Sequence, residues 1–182
     1  MKMTYVKRLV FTAVCAALCV VLPMAFHAVQ NAGQIFLPMH IPVLLCGLVC
    51  GWPFGFVGGL LGPLLSCLLT GMPPVAMLPG MMVECAAYGC VTGLMMKFLH
   101  TKNSFADLYI SLITAMLIGR VLSGLAKSLI FSPGTAPFVW VTTSLVAGIP
   151  GIVIQLVLIP LVVYALSKAK LIPNRYSKEI HA

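Results

Sequence analysis

Residues 9–28 read LVFTAVCAALCVVLPMAFHA and contain no Asp, Glu, Lys or Arg. The run directly follows Lys7 and Arg8. About 20 apolar residues are enough to cross the hydrocarbon core of a bilayer as one α-helix. Because no small-x-small cleavage site follows, we interpret the run as a first transmembrane helix and not as a signal peptide.

The rest of the chain has the composition of an integral membrane protein. Of its 182 residues, 61% are hydrophobic and only 8% are charged, whereas soluble domains average about 45–50% apolar and 25% charged residues. The hydrophobic runs are continuous and do not alternate with polar residues, which favours helices over a β-barrel. We therefore predict an all-α integral membrane protein, a compact six-helix transmembrane bundle forming a single domain over residues 1–182. The predicted helices span about 9–28, 41–51, 54–69, 75–99, 105–131 and 138–167.

Acidic residues are too few for most enzyme classes. The chain contains only Glu84, Asp107 and Glu179, so it cannot assemble a multi-carboxylate metal site or a membrane-embedded carboxylate pair. It also lacks the GxxxxGK[ST], GxSxG and HExxH motifs. We expect no enzymatic activity, no cofactor and no resident metal.

The cysteines lie inside the apolar runs, which argues against a disulfide framework. Two pairs have the i, i+4 spacing of one helix face and could hold a soft metal. The favoured interpretation is that the cysteines serve as small apolar residues that allow helices to approach. The seven cysteines are Cys15, Cys19, Cys46, Cys50, Cys67, Cys85 and Cys90.

The basic residues predict the orientation in the membrane. With a cytoplasmic amino terminus, the three predicted outer loops, about 29–39, 70–77 and 132–137, contain no Lys or Arg. Because Lys and Arg in short loops mark the cytoplasmic side, we predict a multi-pass plasma-membrane protein with both termini in the cytoplasm. This cytoplasmic placement of Lys and Arg explains most of the net charge of +8 without a nucleic-acid partner. The basic residues lie where anionic lipid of the inner leaflet would attract them.

Three charged residues lie at least one turn inside predicted helices, where they are costly and suggest function. Glu84 lies in the fourth predicted helix, and Arg120 and Lys127 share one face of the fifth. One carboxylate and two cations leave about one positive charge, which an anionic ligand could balance. The alternative is a structural Arg120–Glu84 pair, with Lys127 extending to the membrane interface.

Other polar and aromatic residues are predicted near the same outer end, and such a mixture suits a small-molecule pocket. Trp140 could equally be an interfacial anchor and His40 an ordinary helix-end residue. The outer loops could fold over a pocket as lids or be simple turns. The candidate wall residues are Asn31, Gln34, His40, Tyr88, Trp140 and Gln155.

Small residues recur four positions apart and allow close helix contact, within the chain or with a partner. Helix 1 carries an A-x-x-x-A pair at Ala13 and Ala17. The G-x-x-x-G pairs are Gly47 with Gly51, Gly55 with Gly59, Gly58 with Gly62 and Gly89 with Gly93.

Taken together, these features resemble the substrate-binding S components of energy-coupling factor (ECF) vitamin transporters. The resemblance rests on six predicted spans in under 200 residues, cytoplasmic termini, and the A-x-x-x-A pair. It also rests on the stretches 37–51, LPMHIPVLLCGLVCG, and 58–66, GGLLGPLLS. It covers nearly the whole chain.

The resemblance implies a membrane receptor that binds a vitamin or vitamin precursor near its outer face. It also implies docking onto a transmembrane coupling protein with two cytoplasmic ATPases, with Ala13 and Ala17 facing the coupling protein. Transport would follow from toppling of the S component in the membrane. The absence of an ATP-binding motif is then expected.

The substrate residues of the family vary with the vitamin, so our candidates come from charge. Arg120 or Lys127 would bind an anionic group, with Glu84 as the orienting counter-charge. This favours a carboxylate vitamin such as pantothenate. The second possibility is a neutral pyrimidine or benzimidazole nucleoside, with Glu84 accepting its hydrogen bonds.

Two other classes compete with this interpretation. A self-sufficient secondary transporter would need no ATPase, but the chain lacks clear internal repeats and a series of intramembrane carboxylates. A membrane enzyme or assembly factor is opposed by the scarcity of acids and the lack of a nucleophile motif.

Overall fold

The structure is a computed structural model that describes residues 3–25, 32–101, 103–131 and 136–172. The regular secondary structure of these residues is entirely helical, as predicted. The eight helices are α1 Tyr5–Ala25, α2 Ala32–Phe36, α3 His40–Cys50, α4 Trp52–Thr70, α5 Leu78–Phe98, α6 Ser104–Phe131, α7 Pro137–Ala147 and α8 Ile149–Lys168.

Five of these helices, α1, α4, α5, α6 and α8, are long and apolar enough to cross a membrane. The apolar helices α3 and α7 are shorter, with 11 residues each. The protein is therefore a multi-pass membrane protein built from helices. The count of six spans stays a prediction, because α3, with 11 residues, is by itself shorter than the roughly 20 residues of a full crossing.

The prediction of one helix over about 138–167 is wrong, because α7 ends at Ala147 and α8 begins at Ile149. Gly148 connects them, and Pro150 occupies the first turn of α8. Proline has no N–H to donate to the carbonyl four residues earlier, and its ring would collide with that carbonyl in a continuous helix. The first outer loop also contains a short helix, α2, that the sequence analysis did not predict.

Glycine allows α4 and α5 to approach until their backbones touch. A Cβ atom built on Gly89 would overlap the Gly55 backbone, and one built on Gly59 would overlap the carbonyl of Cys85. Gly93 similarly faces the backbone of Trp52. These glycines belong to the predicted G-x-x-x-G pairs, so small residues explain the closest helix contact in the bundle.

Helix α3 lies at the centre of the packing, against α1, α4 and α5. Most of its residues are buried, including His40 at its first position. The preceding residue pair, Pro38 and Met39, is also buried. The short α3 thus brings a polar side chain into the interior next to α5.

Candidate binding site around Glu84

Glu84, in the second turn of α5, is the centre of a buried polar cluster, with only 2% of its surface exposed. Its Oε1 atom lies 3.2 Å from Nη1 of Arg120 on α6. The hydroxyl of Tyr88, one turn further along α5, donates to the same oxygen at 3.2 Å. Nε2 of His40 lies 3.5 Å from it. Residues of three helices therefore meet at one carboxylate oxygen.

Among the described residues, the polar contacts of the second carboxylate oxygen come from α6. The Ser123 hydroxyl donates to Oε2 of Glu84 at 3.0 Å, and Nζ of Lys127 lies 3.9 Å from that oxygen. Arg120, Ser123 and Lys127 are spaced i, i+3 and i+7, which places them on one helix face. The shared face predicted for the two cations is thus the face that meets Glu84.

The cluster carries more positive than negative charge. Arg120 and Lys127 both contact Glu84, and the other described acid, Asp107, has a different role. Asp107 accepts hydrogen bonds from the backbone N–H and the hydroxyl of Thr101, in the connection between α5 and α6. Not counting His40, the cluster therefore holds one uncompensated positive charge.

Two glycines make room for the large side chains of the cluster. A Cβ atom on Gly119 would overlap the ring of Tyr88, so this glycine allows the ring to lie directly against α6. A Cβ atom on Gly80 would lie 2.9 Å from Cε of Lys127, so the lysine side chain crosses α5 there. The ring of His40 packs against that of Tyr88, with centroids 5.1 Å apart.

Leu37 connects α8 to the cluster. Its φ angle of 51° lies in the left-handed region, which is uncommon for a residue other than glycine. In this conformation its carbonyl accepts hydrogen bonds from the backbone N–H of His40 at 3.1 Å and from Nε2 of Gln155 at 3.3 Å. Gln155 is thereby fixed beside the start of α3.

The break between α7 and α8 lies against Arg120. A Cβ atom on Gly148 would lie 2.6 Å from Nη2 of Arg120 and 3.2 Å from Cδ1 of Leu37. The guanidinium group and the Leu37 side chain therefore pack on the same α-carbon. Glycine at this position lets α7 and α8 turn without displacing the arginine.

Several atoms of this cluster have no hydrogen-bond partner among the described residues. They are Nε and Nη2 of Arg120, Oε1 of Gln155 and both ring nitrogens of His40. All three residues are buried, with at most 4% of their surface exposed. An unsatisfied buried polar group costs about 1–3 kcal/mol, so this group of atoms is suited to bind a small polar molecule.

The structure brings together most, but not all, of the predicted site residues. Glu84 is contacted by His40, Tyr88, Arg120 and Lys127, and Gln155 joins this cluster through Leu37. Asn31 lies outside the described residues, and Gln34 lies within α2. Trp140 lies on α7 and takes no part in the hydrogen bonds to the Glu84 carboxylate within the described part of the chain.

Ser123 belongs to the cluster around Glu84 but was not predicted from the sequence. A serine in an apolar helix is common and usually bonds its own backbone. Its position on the Arg120–Lys127 face was the available signal. Leu37 was missed because its polar contribution comes from its backbone conformation and carbonyl.

The cysteines show no sign of a metal centre in the described residues. All seven are free thiols, and the described chain contains no group of three or more His, Cys, Asp or Glu residues that could hold a metal ion. Cys15, Cys46 and Cys50 instead pack with Phe11 and Phe54. Their role here is apolar packing between α1, α3 and α4.

Helix α1 has one face against the bundle and one face exposed. Cys15, Ala16 and Cys19 are buried, whereas Ala13 and Ala17 lie on the exposed side. The A-x-x-x-A pair is therefore not used for packing within the described chain.

Comparisons with known proteins identify the family. Searches of curated proteins and of solved structures gave no match. The family model described as "ECF transporter, substrate-specific component" matches residues 7–163, which is most of the chain. The chain belongs to the family of substrate-specific S components of ECF transporters.

Proposed function

We propose that this S component binds a small water-soluble vitamin or vitamin precursor in the cluster around Glu84 and delivers it to an ATP-driven ECF transporter. The observation that carries the proposal is the buried cluster of one carboxylate and two cations in a chain of this family. Ionisable groups within membrane helices are costly and mark substrate pathways. The chain itself is a transport subunit and not an enzyme.

The charges of the cluster favour an acidic substrate, for which pantothenate is our example. Arg120 and Lys127 would attract the anionic group, and Glu84 would hold both cations in place. His40, Tyr88 and Gln155 would contribute hydrogen-bonding and stacking surfaces. Asn31, Gln34 and Trp140 remain candidate residues for the walls of the same pocket.

We further propose that ATP hydrolysis takes place on two cytoplasmic ATPase subunits, reached through a transmembrane coupling protein. The exposed small-residue face of α1, with Ala13 and Ala17, is the docking surface in this proposal. Small residues let a partner helix approach closely in the membrane, where van der Waals packing drives association. The charge distribution favours a plasma-membrane location with both termini in the cytoplasm.

Reconstitution tests the function. The chain would be coexpressed with a coupling protein and ATPase pair, purified through a tag on the chain, and placed in vesicles with labelled pantothenate outside. Uptake that requires all subunits and ATP is expected. Uptake by the chain alone, driven by an ion gradient, would instead establish a secondary transporter. ATP-dependent uptake of a neutral nucleoside with no response to pantothenate would contradict the choice of an acidic substrate.

A further inference from the structure

The hydrogen-bonding capacity left over in the cluster lies mainly on donors. Nη1 of Arg120 faces Glu84, while Nε and Nη2 are buried and have no partner among the described residues. These two nitrogens form one side of the planar guanidinium group, where two parallel N–H bonds point in the same direction. That arrangement matches the two oxygens of a carboxylate.

Glu84, in contrast, has little capacity left for a ligand. Tyr88, Arg120 and His40 surround Oε1, while Ser123 and Lys127 contact Oε2. A carboxylate offers about four acceptor positions, and five groups already surround this one. Among the described residues, Tyr88 and Ser123 donate hydrogen bonds to it at 3.0–3.2 Å, while His40 and Lys127 lie 3.5 and 3.9 Å away. A neutral ligand that relies on Glu84 as its acceptor would have to compete with these groups.

A buried acceptor is linked to the arginine through Leu37. Nε2 of Gln155 donates to the Leu37 carbonyl, which fixes the amide orientation and directs Oε1 away from that contact. Oε1 is buried and has no partner among the described residues. Leu37 also packs beside Nη2 of Arg120 on Gly148. The unpaired donors of Arg120 and the unpaired acceptor of Gln155 therefore belong to side chains that both lie beside Leu37.

We propose that the substrate carries a carboxylate bound side-on by Nε and Nη2 of Arg120, and a hydroxyl or N–H group that donates to Oε1 of Gln155. This inference rests on the proposed function and specifies the chemistry of its substrate. A carboxylate brings one negative charge, which matches the single uncompensated positive charge of the cluster. A phosphate ester brings about two and would leave the site with excess negative charge.

The experiment uses the purified full-length chain in detergent and needs no prior identification of the substrate. The probe is the low-molecular-mass filtrate of a bacterial cell extract. A second portion of the same filtrate is treated with a carbodiimide and methylamine, which converts carboxylates to neutral N-methylamides, and is then freed of reagent. The thermal unfolding of the chain is measured against serial dilutions of both portions.

The intact filtrate is expected to raise the unfolding temperature, and the amidated filtrate is expected to have lost this effect. Pantothenate and panthenol, which differ only in carboxylate against alcohol, provide a defined pair for the same measurement. Arg120→Lys retains the positive charge beside Glu84 but lacks the planar pair of donors. We expect it to need at least about tenfold more intact filtrate for the same shift, as for the loss of one charge-assisted hydrogen bond. Arg8→Lys, the same change outside the cluster, is the matched control and should respond like wild type.

The outcomes separate this inference from the function on which it rests. Stabilisation that survives amidation would overturn the carboxylate assignment and leave substrate binding established. An Arg120→Lys variant with the wild-type response would overturn the role of the arginine. The absence of any stabilisation by the intact filtrate would contradict the proposed binding function itself. Because amidation is tested on the wild-type chain, the inference stays falsifiable even if Arg120→Lys fails to fold.

Discussion

Replacing Glu84 by glutamine tests whether its carboxylate holds the cluster together. The change preserves the size of the side chain and one acceptor oxygen, but it removes the charge that Arg120 and Lys127 share. Arg120 is 4% exposed and lies 3.2 Å from the carboxylate, so its charge would be left buried without a counter-charge. Lys127 lies 3.9 Å away with 19% of its side chain exposed, so water compensates it in part.

Arg120 therefore dominates the expected cost. Removing one member of a buried ion pair typically costs about 3–5 kcal/mol. For a chain of this length, that corresponds to a fall in unfolding temperature of about 6–20 °C. Lys127→Met, which leaves the Arg120–Glu84 pair intact, should cost less, on the order of 1 kcal/mol.

The assay is the unfolding of purified variants in one detergent, monitored by circular dichroism. The double variant Glu84→Gln with Arg120→Met provides the control, because it removes both members of the closer pair. Its loss of stability should be clearly smaller than the sum of the two single losses, since neither charge is then left alone. A Glu84→Gln variant within about 1 kcal/mol of wild type, or additive single losses, would refute this account of the cluster.

Two further predictions concern the helix contacts. Gly89→Ala should lower the stability by about 1–3 kcal/mol, because its Cβ atom would overlap the Gly55 backbone, which cannot move aside as a side chain can. The control is Gly33→Ala, where a Cβ meets nothing within 4 Å, and its stability should stay within about 1 kcal/mol of wild type. Equal unfolding temperatures for both variants would contradict the backbone contact. The double variant Ala13→Trp with Ala17→Trp should retain the stabilisation by the intact filtrate, because both positions are exposed on α1. It should lose ATP-dependent uptake in vesicles, because these positions form the proposed docking surface. Normal uptake would contradict the docking assignment.

The sequence predicts the helical class and most helix positions because long apolar runs dominate it. It fails at residues 138–167 because the hydropathy on both sides of Gly148 is uninterrupted. The break is determined by the backbone, through Pro150 and the close approach of Arg120 to Gly148. The Pro150–Gly151 dipeptide is a turn signal, but the surrounding apolar residues concealed it.

The charged centre of the site was predictable for a similar reason. The apolar helices contain few charged residues, so Glu84, Arg120 and Lys127 are conspicuous in the sequence. Because a buried charge requires a partner, simple electrostatics predicts that these three residues associate. The sequence does not show which atoms of these side chains remain free. That depends on Ser123 and Tyr88 occupying the carboxylate, and on the left-handed Leu37 positioning Gln155.

The distribution of free atoms changes what the cluster implies about the substrate. Charge counting alone leaves a neutral ligand on Glu84 and an acidic ligand on Arg120 as alternatives. Five groups surround the Glu84 carboxylate, so a ligand on Glu84 would compete with them, whereas a ligand on Arg120 satisfies two buried N–H groups that have no described partner. Because an unsatisfied buried group costs about 1–3 kcal/mol, binding an acceptor at Arg120 is favoured over binding a donor at Glu84. In the proposed site, Glu84 would fix the orientation of Arg120, and the arginine would select the substrate.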